Sequence, residues 1–199
     1  MPEELPGRAP HLTASRWAEI KLVAIDVDGV LTDGGLTFDD DGRLYQTFYV
    51  RDGFALKAAQ RAGLKIAWVS GRKSSAVEKR AAELETDFCV LGCGDKFAAL
   101  RDLQTQLGIM PGECCFIGDD LPDLPAFAAC GLNVAVADAV DEVKKHADNI
   151  TTAPGGRGAV REVIEHVLQA QGHWSQLVAQ FSRDEFDSAN HVPPENLQR

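Results

Sequence analysis

Short apolar runs recur along the chain. Between them lie stretches in which apolar positions return every third or fourth residue. Residues 22–27, 64–69, 88–91, 114–117, 133–136 and 149–151 read as strands. Residues 54–62, 74–84, 97–107, 124–129, 140–146 and 157–171 carry helical spacing. Gly63 and Gly108 stand where C-caps belong, and Pro122 precedes the shortest helix. The alternation predicts an α/β fold: a Rossmann-like, mostly parallel sheet with helices on both faces.

One segment breaks the alternation. Leu36, Thr37 and Phe38, then residues 44–49, flank Asp39-Asp40-Asp41-Gly42. That is a β-hairpin signal with an Asp-Gly turn. No insertion is long enough for a folded cap domain, so the core is expected to be capless with a projecting hairpin. From residue 176 the chain is polar, carries Pro193-Pro194 and shows no period. The expected organisation is an N-terminal extension (1–19), one domain (20–174) and a weakly ordered tail (175–199).

Composition narrows the function. A chain of 199 residues with 45% hydrophobic content can bury one good core. A net charge of −10 argues against general binding to nucleic acid or a membrane surface, both of which need a basic footprint. An anionic small substrate stays open, since a local metal can offset the global charge. The five cysteines form no metal-binding spacing and are expected as buried free thiols, as suits a reducing compartment. Residues 1–19 hold no apolar leader and no run is long enough to span a membrane, so a soluble, cytoplasmic protein is expected.

Candidate chemistry begins where the first strand ends. Asp26 and Asp28 sit one residue apart, followed by Gly29. On an extended chain both carboxylates face one way, into the crevice at the carboxyl end of a parallel sheet. Such a pair suits a hard cation and a nucleophile beside a general acid. Alone, it would more often be a polar turn. Other parts follow in order. Val69-Ser70-Gly71-Arg72 ends a strand and opens a helix, where a hydroxyl and freed N–H groups favour a phosphate oxygen. Asp95-Lys96 precedes another helix and offers a point cation. Gly118-Asp119-Asp120-Leu121-Pro122-Asp123 ends a second core strand and can complete a metal site.

The ordered set of paired aspartates, serine, lysine and acidic loop, from about Lys21 to Asp123, resembles the haloacid dehalogenase-like phosphotransferases. A narrower resemblance covers most of residues 22–174. It rests on Asp26 to Gly34, Tyr49-Val50-Arg51-Asp52-Gly53, Ser70 to Lys73, Gly118 to Leu121, Val136 to Ala139, and Gly155-Gly156-Arg157-Gly158-Ala159-Val160-Arg161-Glu162. These stretches are similar to the family of capless phosphatases that act on 3-deoxy-D-manno-octulosonate 8-phosphate in lipopolysaccharide (KDO) synthesis. Ser70 stands where that family often has Thr, and Lys57 where a related member has Arg.

The resemblance implies a Mg²⁺-dependent phosphatase. Asp26 would be the nucleophile and Asp28 the general acid and base. Asp26, the Asp28 carbonyl and Asp119 would hold the metal. Gly29, Ser70, Gly71 and Lys96 would hold phosphate, with Asp120 and Asp123 orienting Lys96 or metal-bound waters. Tyr49, Val50, Arg51, Asp52, Gly53, Lys57, Arg72, Arg80 and Arg157 would line the substrate site with Asp28 and Lys96. A homotetramer with shared active sites is implied as well. A phosphatase for a nine-carbon sugar acid would share the same chemistry. A catalytically silent binding module is the reading from a different class, and the presence of both Asp26 and Asp28 weighs against it.

Overall fold

Strand β1 (Leu22–Ile25) is apolar and buried along its whole length, and it lies inside a six-stranded parallel sheet. This computed structural model describes residues 14–182. On one side of β1 come β4 (Lys65–Ser70) and then β5 (Phe88–Leu91). On the other come β6 (Cys114–Gly118), β7 (Leu132–Ala135) and β8 (Asn149–Ile150). Ala24 pairs with Ala67 on one flank and Phe116 on the other, in parallel register.

Helices make the crossovers. α2 (Val50–Arg61) and α3 (Ser75–Glu83) lead outward to β4 and β5. α4 (Lys96–Leu107), α5 (Leu124–Ala129) and α6 (Asp141–His146) lead to β6, β7 and β8. Right-handed crossovers place these two groups on opposite faces, because they run in opposite directions from β1. α7 (Ala159–Ala170) packs on α2 and buries Val160, Val163, Ile164, Val167 and Leu168. Trp68, Phe116, Ile25 and Leu132 are among the largest side chains sealed in the core.

Several bounds differ from the sequence reading. α2 starts four residues early, because Arg51, Asp52 and Gly53 interrupt the apolar spacing of its first turn. Ser70 does not open a helix; Ser74 caps α3 by accepting the Val77 N–H. α7 starts at Ala159, since Gly158 is left-handed (φ 112°). The hairpin arms β2 (Thr37–Phe38) and β3 (Leu44–Tyr45) are only two residues each. Past Tyr45 the chain turns into the body, where Phe48 stacks on Trp68 with centroids 6.1 Å apart.

Two short α-helices stand outside the elements that the apolar pattern predicts. α1 (Ala14–Ala18) sends Trp17 into the core and Arg16 to Asp148 at 3.0 Å. α8 (Trp174–Ala179) occupies part of the stretch expected as a weakly ordered tail, with Trp174 and Leu177 against the core. The rest of that tail, Pro193-Pro194 included, lies outside the described residues, as do residues 1–13. All five cysteines are free. Cys114, Cys115 and Cys130 are buried, whereas Cys89 is exposed and Cys93 half-buried, because β5 is an edge strand.

Candidate active site

The strand order reverses at β1: the chain fills one side of it, then the other. Ligands of such sheets bind at this reversal, beyond the carboxyl ends of the strands. A crevice of about 930 Å³ opens there. It is lined by Asp26, Asp28, Ser70, Gly71, Arg72, Lys96, Asp119, Asp120 and Asp123.

Asp26 follows β1 and continues its pairing, its N–H donating to the Ile117 carbonyl (3.0 Å). The chain then makes a tight turn over Val27–Leu31, in which Asp28 is extended and Gly29 left-handed (φ 93°). A Cβ on Gly29 would collide with the Asp119 carboxylate. Only glycine therefore serves here, for space as well as for φ. The loop before α7 backs this turn. Gly156 N–H donates to the Val30 carbonyl (2.8 Å), and a Cβ on Gly155 would strike the Gly29 carbonyl. Asp138 holds the loop by accepting the Gly155 N–H at 2.8 Å.

Lys96, the first residue of α4, is buried between two carboxylates. Its Nζ donates to Asp26 Oδ1 and Asp123 Oδ1, both at 2.6 Å. Burial alone would lower its pKa; the two negative charges outweigh that and hold it above its usual value. Asp123 is fully engaged, since its Oδ2 also accepts the N–H groups of Asp119 (2.8 Å) and Asp120 (3.3 Å). It thereby fixes Lys96 and the Asp119 loop together. Asp120 turns its Oδ1 to the Leu121 N–H.

Oxygens of Asp26, Asp119 and Asp123 lie within 4.8 Å of one another. Burial, then the charges of Asp26, Asp123 and Asp120, push Asp119 up to about 8. Burial, then Asp123, push Asp26 up to about 6. One lysine does not balance this much carboxylate, and the donors are all hard oxygens. The set fits a divalent cation such as Mg²⁺. With Asp123 committed to Lys96 and backbone, Asp26 and Asp119 are the carboxylates suited to take it.

Asp28 stands across from this cluster. Its Oδ2 lies 3.5 Å from Ser70 Oγ and 3.6 Å from Arg72 Nε. Ser70 is buried and also accepts the Arg72 N–H (3.1 Å), so its hydroxyl is held at the crevice wall. Asp28 Oδ1 accepts a hydrogen bond from Gln46 Nε2 at 2.7 Å. The sequence carries no signal for Gln46, which is one polar position on a strand-like arm.

The other expected substrate contacts divide. Tyr49 is half-buried, and Val50 and Arg51 are exposed at the start of α2, with Arg51 5.8 Å above the Tyr49 ring. Arg157 is exposed, 3.5 Å from Asp33. Four others lie away from the crevice. Asp52 is buried and faces inward, its Oδ1 capping α7 at the Arg161 N–H (2.8 Å). Lys57 is drawn to Glu85 (2.7 Å) and the Leu84 carbonyl at the far end of α3. Arg80 pairs with Glu83 (2.8 Å) and covers Gly53, which is buried. None of these lines the crevice.

An open parallel sheet with aspartates at two adjacent strand ends and a lysine between them defines a haloacid dehalogenase-like hydrolase. That family's pattern matches residues 93–164. The 3-deoxy-D-manno-octulosonate 8-phosphate phosphatase of Haemophilus influenzae is 46% identical over 153 residues, covering 77% of this chain and 85% of that protein. The chain belongs to this family of phosphomonoester hydrolases. Its fold superposes on the Moraxella catarrhalis phosphatase, crystallised with magnesium, phosphate and KDO, with a TM-score of 0.83 at 40% identity, covering 85% of this chain and 97% of that one. The cobalt-bound Haemophilus influenzae enzyme gives 0.79 at 42% identity, with the same coverage.

Proposed function

We propose that this chain releases phosphate from 3-deoxy-D-manno-octulosonate 8-phosphate, with Mg²⁺, through a phosphate ester on Asp26. The step belongs to KDO synthesis for lipopolysaccharide and takes place in the cytoplasm. One observation carries the reading: Asp26, Asp28, Ser70, Lys96 and Asp119 line one crevice, in a chain whose relative was crystallised with magnesium, phosphate and KDO.

An Asp26 oxygen attacks phosphorus, and the bond to the sugar oxygen breaks. Asp28 gives its proton to the leaving alkoxide. Asp28 then takes a proton from the water that attacks the phosphorylated Asp26, which frees phosphate and restores both carboxyls. Lys96 and Ser70 hold phosphate oxygens and offset charge as it builds. Mg²⁺, held by Asp26, Asp119 and the Asp28 carbonyl, supplies neutralisation of the repulsion between carboxylate and phosphate dianion. Arg72, on the crevice wall, pairs with an anionic group of the substrate. Tyr49, Arg51 and Arg157 belong to a sugar-binding surface completed by neighbouring chains of a homotetramer.

A phosphate-release screen tests the reading. Eight-carbon 3-deoxy keto-sugar acid phosphate is expected to exceed hexose phosphates in kcat/KM, and Asp26→Asn to abolish turnover with an unchanged melting profile. Equal or better hydrolysis of hexose phosphates rejects the substrate; full activity of Asp26→Asn rejects the nucleophile.

A further inference from the structure

We propose that Gln46 is a positioning residue for Asp28, setting which carboxyl oxygen delivers the proton to the leaving group. The inference rests on the general-acid role given to Asp28 above.

The geometry is a chain of hydrogen bonds with one direction. Val77 N–H donates to Ser74 Oγ (3.4 Å) at the cap of α3. With that lone pair taken, the Ser74 hydroxyl donates onward to Gln46 Oε1 (2.5 Å). A carboxamide has one accepting and one donating end. Fixing Oε1 on Ser74 turns Nε2 toward Asp28 Oδ1, at 2.7 Å. The Ser74 hydroxyl, seated at the cap of α3, thus helps to hold the amide in this orientation. Gln46 is itself anchored, because Phe48, two residues on, stacks against the core Trp68.

Oδ1 of Asp28 is therefore occupied as an acceptor. The other oxygen, Oδ2, faces Ser70 and Arg72 at 3.5 and 3.6 Å, distances too long to fix a carboxyl firmly. Among the described residues, the one short contact to the Asp28 side chain is the one from Gln46. A proton on Asp28 then belongs on Oδ2, beside the Ser70 hydroxyl of the phosphate crevice. Without the amide, the carboxyl can rotate and present either oxygen, and misplacement of this kind slows the step that needs the proton.

Leaving-group chemistry supplies the test. A sugar alkoxide needs a proton as it departs; p-nitrophenolate does not. kcat/KM reports steps through the first bond cleavage, so it isolates protonation from later hydrolysis of the intermediate. Gln46→Leu keeps the bulk and removes the amide. In the full-length protein with Mg²⁺ it is expected to lower kcat/KM for the sugar phosphate by about tenfold or more, carried by kcat rather than KM. For p-nitrophenyl phosphate the change is expected to stay within about threefold. Ser74→Ala should show the same bias more weakly, since it reaches Asp28 only through the amide orientation; it also removes the α3 cap, which its melting profile reads. Asp28→Asn is measured alongside. If Asp28→Asn discriminates between the two substrates and Gln46→Leu does not, the inference is overturned and the mechanism stands. If Asp28→Asn also slows both substrates equally, the general-acid assignment falls and takes the inference with it. Melting profiles of the variants separate either result from unfolding.

Discussion

Gly29 and Asp119 occupy adjoining space so closely that a Cβ on the glycine would come 2.7 Å from the aspartate's carboxyl carbon. The turn after β1 and the loop after β6 are thereby brought to the same point. Gly29→Ala is expected to push Asp119 away from Asp26 and to strain a backbone held at φ 93° by about 1 kcal/mol. The Mg²⁺ concentration for half-maximal activity should rise by about tenfold, read from a metal titration of phosphate release. An unchanged titration curve would show that Asp119 does not depend on the empty space at Gly29.

Lys96 neutralises two buried carboxylates at once. Lys96→Met keeps the length and removes the charge, which leaves Asp26 and Asp123 facing each other in low dielectric. Removing one partner of a buried ion pair costs about 3 kcal/mol. Urea unfolding in chelator should show a loss of that order, with Lys96→Met plus Asp123→Asn recovering part of it. Activity should fall by about 100-fold or more in the single variant. Full recovery of stability without recovery of activity in the pair would separate the two roles of the lysine.

Asp52 gives a pH signature independent of the crevice. Burial, opposed by the N–H groups of Arg161 and Gly158 and the Arg161 charge, pushes it up to about 6 from an ordinary 3.8. Between those values the folded chain binds more proton than the unfolded one, so stability falls as pH rises. Below about pH 4 the penalty is absent; above about pH 6 it is complete, at most about 3 kcal/mol at about 1.4 kcal/mol per pKa unit. Asp52→Asn retains an acceptor for the Arg161 N–H without the charge. It should be more stable than the parent at pH 7, with the difference vanishing near pH 4, as read by paired denaturation curves. A pH-independent difference would reject the shifted titration.

The legible parts of this site are those that sequence order carries. Asp26 and Asp28 share a face because a strand ends there, and Lys96 and Asp119 follow at a helix start and a strand end. The sheet itself was readable because its strands are apolar runs buried on both faces. Gln46 was not legible. It lies 18 positions from Asp28 and reaches it only because the hairpin stops after two pairs and Phe48 pulls the chain onto Trp68. Asp52 shows a related limit: it sits in a polar run at the start of α2, and helical rotation turns it onto α7. Short elements such as α1 give too few residues for any period to show.

Assembly is the remaining expectation, and the hairpin carries it. Its two-residue strands are too short to hold alone in water. The hairpin nonetheless exposes Leu36, just before β2, with Phe38 (59%) and Tyr45 (53%). Phe48 does not join that surface, being stacked on Trp68. Packing hairpins from several chains together would cover the exposed three, and the shared site proposed above has Arg51 and Arg157 of one chain serve the crevice of another. Light scattering at micromolar concentration is expected to give four times the 21.5 kDa of one chain. Phe38→Asp, placed where burial would be needed, should dissociate the assembly and raise KM for the sugar-acid phosphate more than for p-nitrophenyl phosphate, because the small ester needs no shared sugar surface. Arg157→Ala in an intact tetramer should raise KM in the same selective way. A Phe38→Asp monomer with unchanged KM for both esters would show that one chain completes its own site.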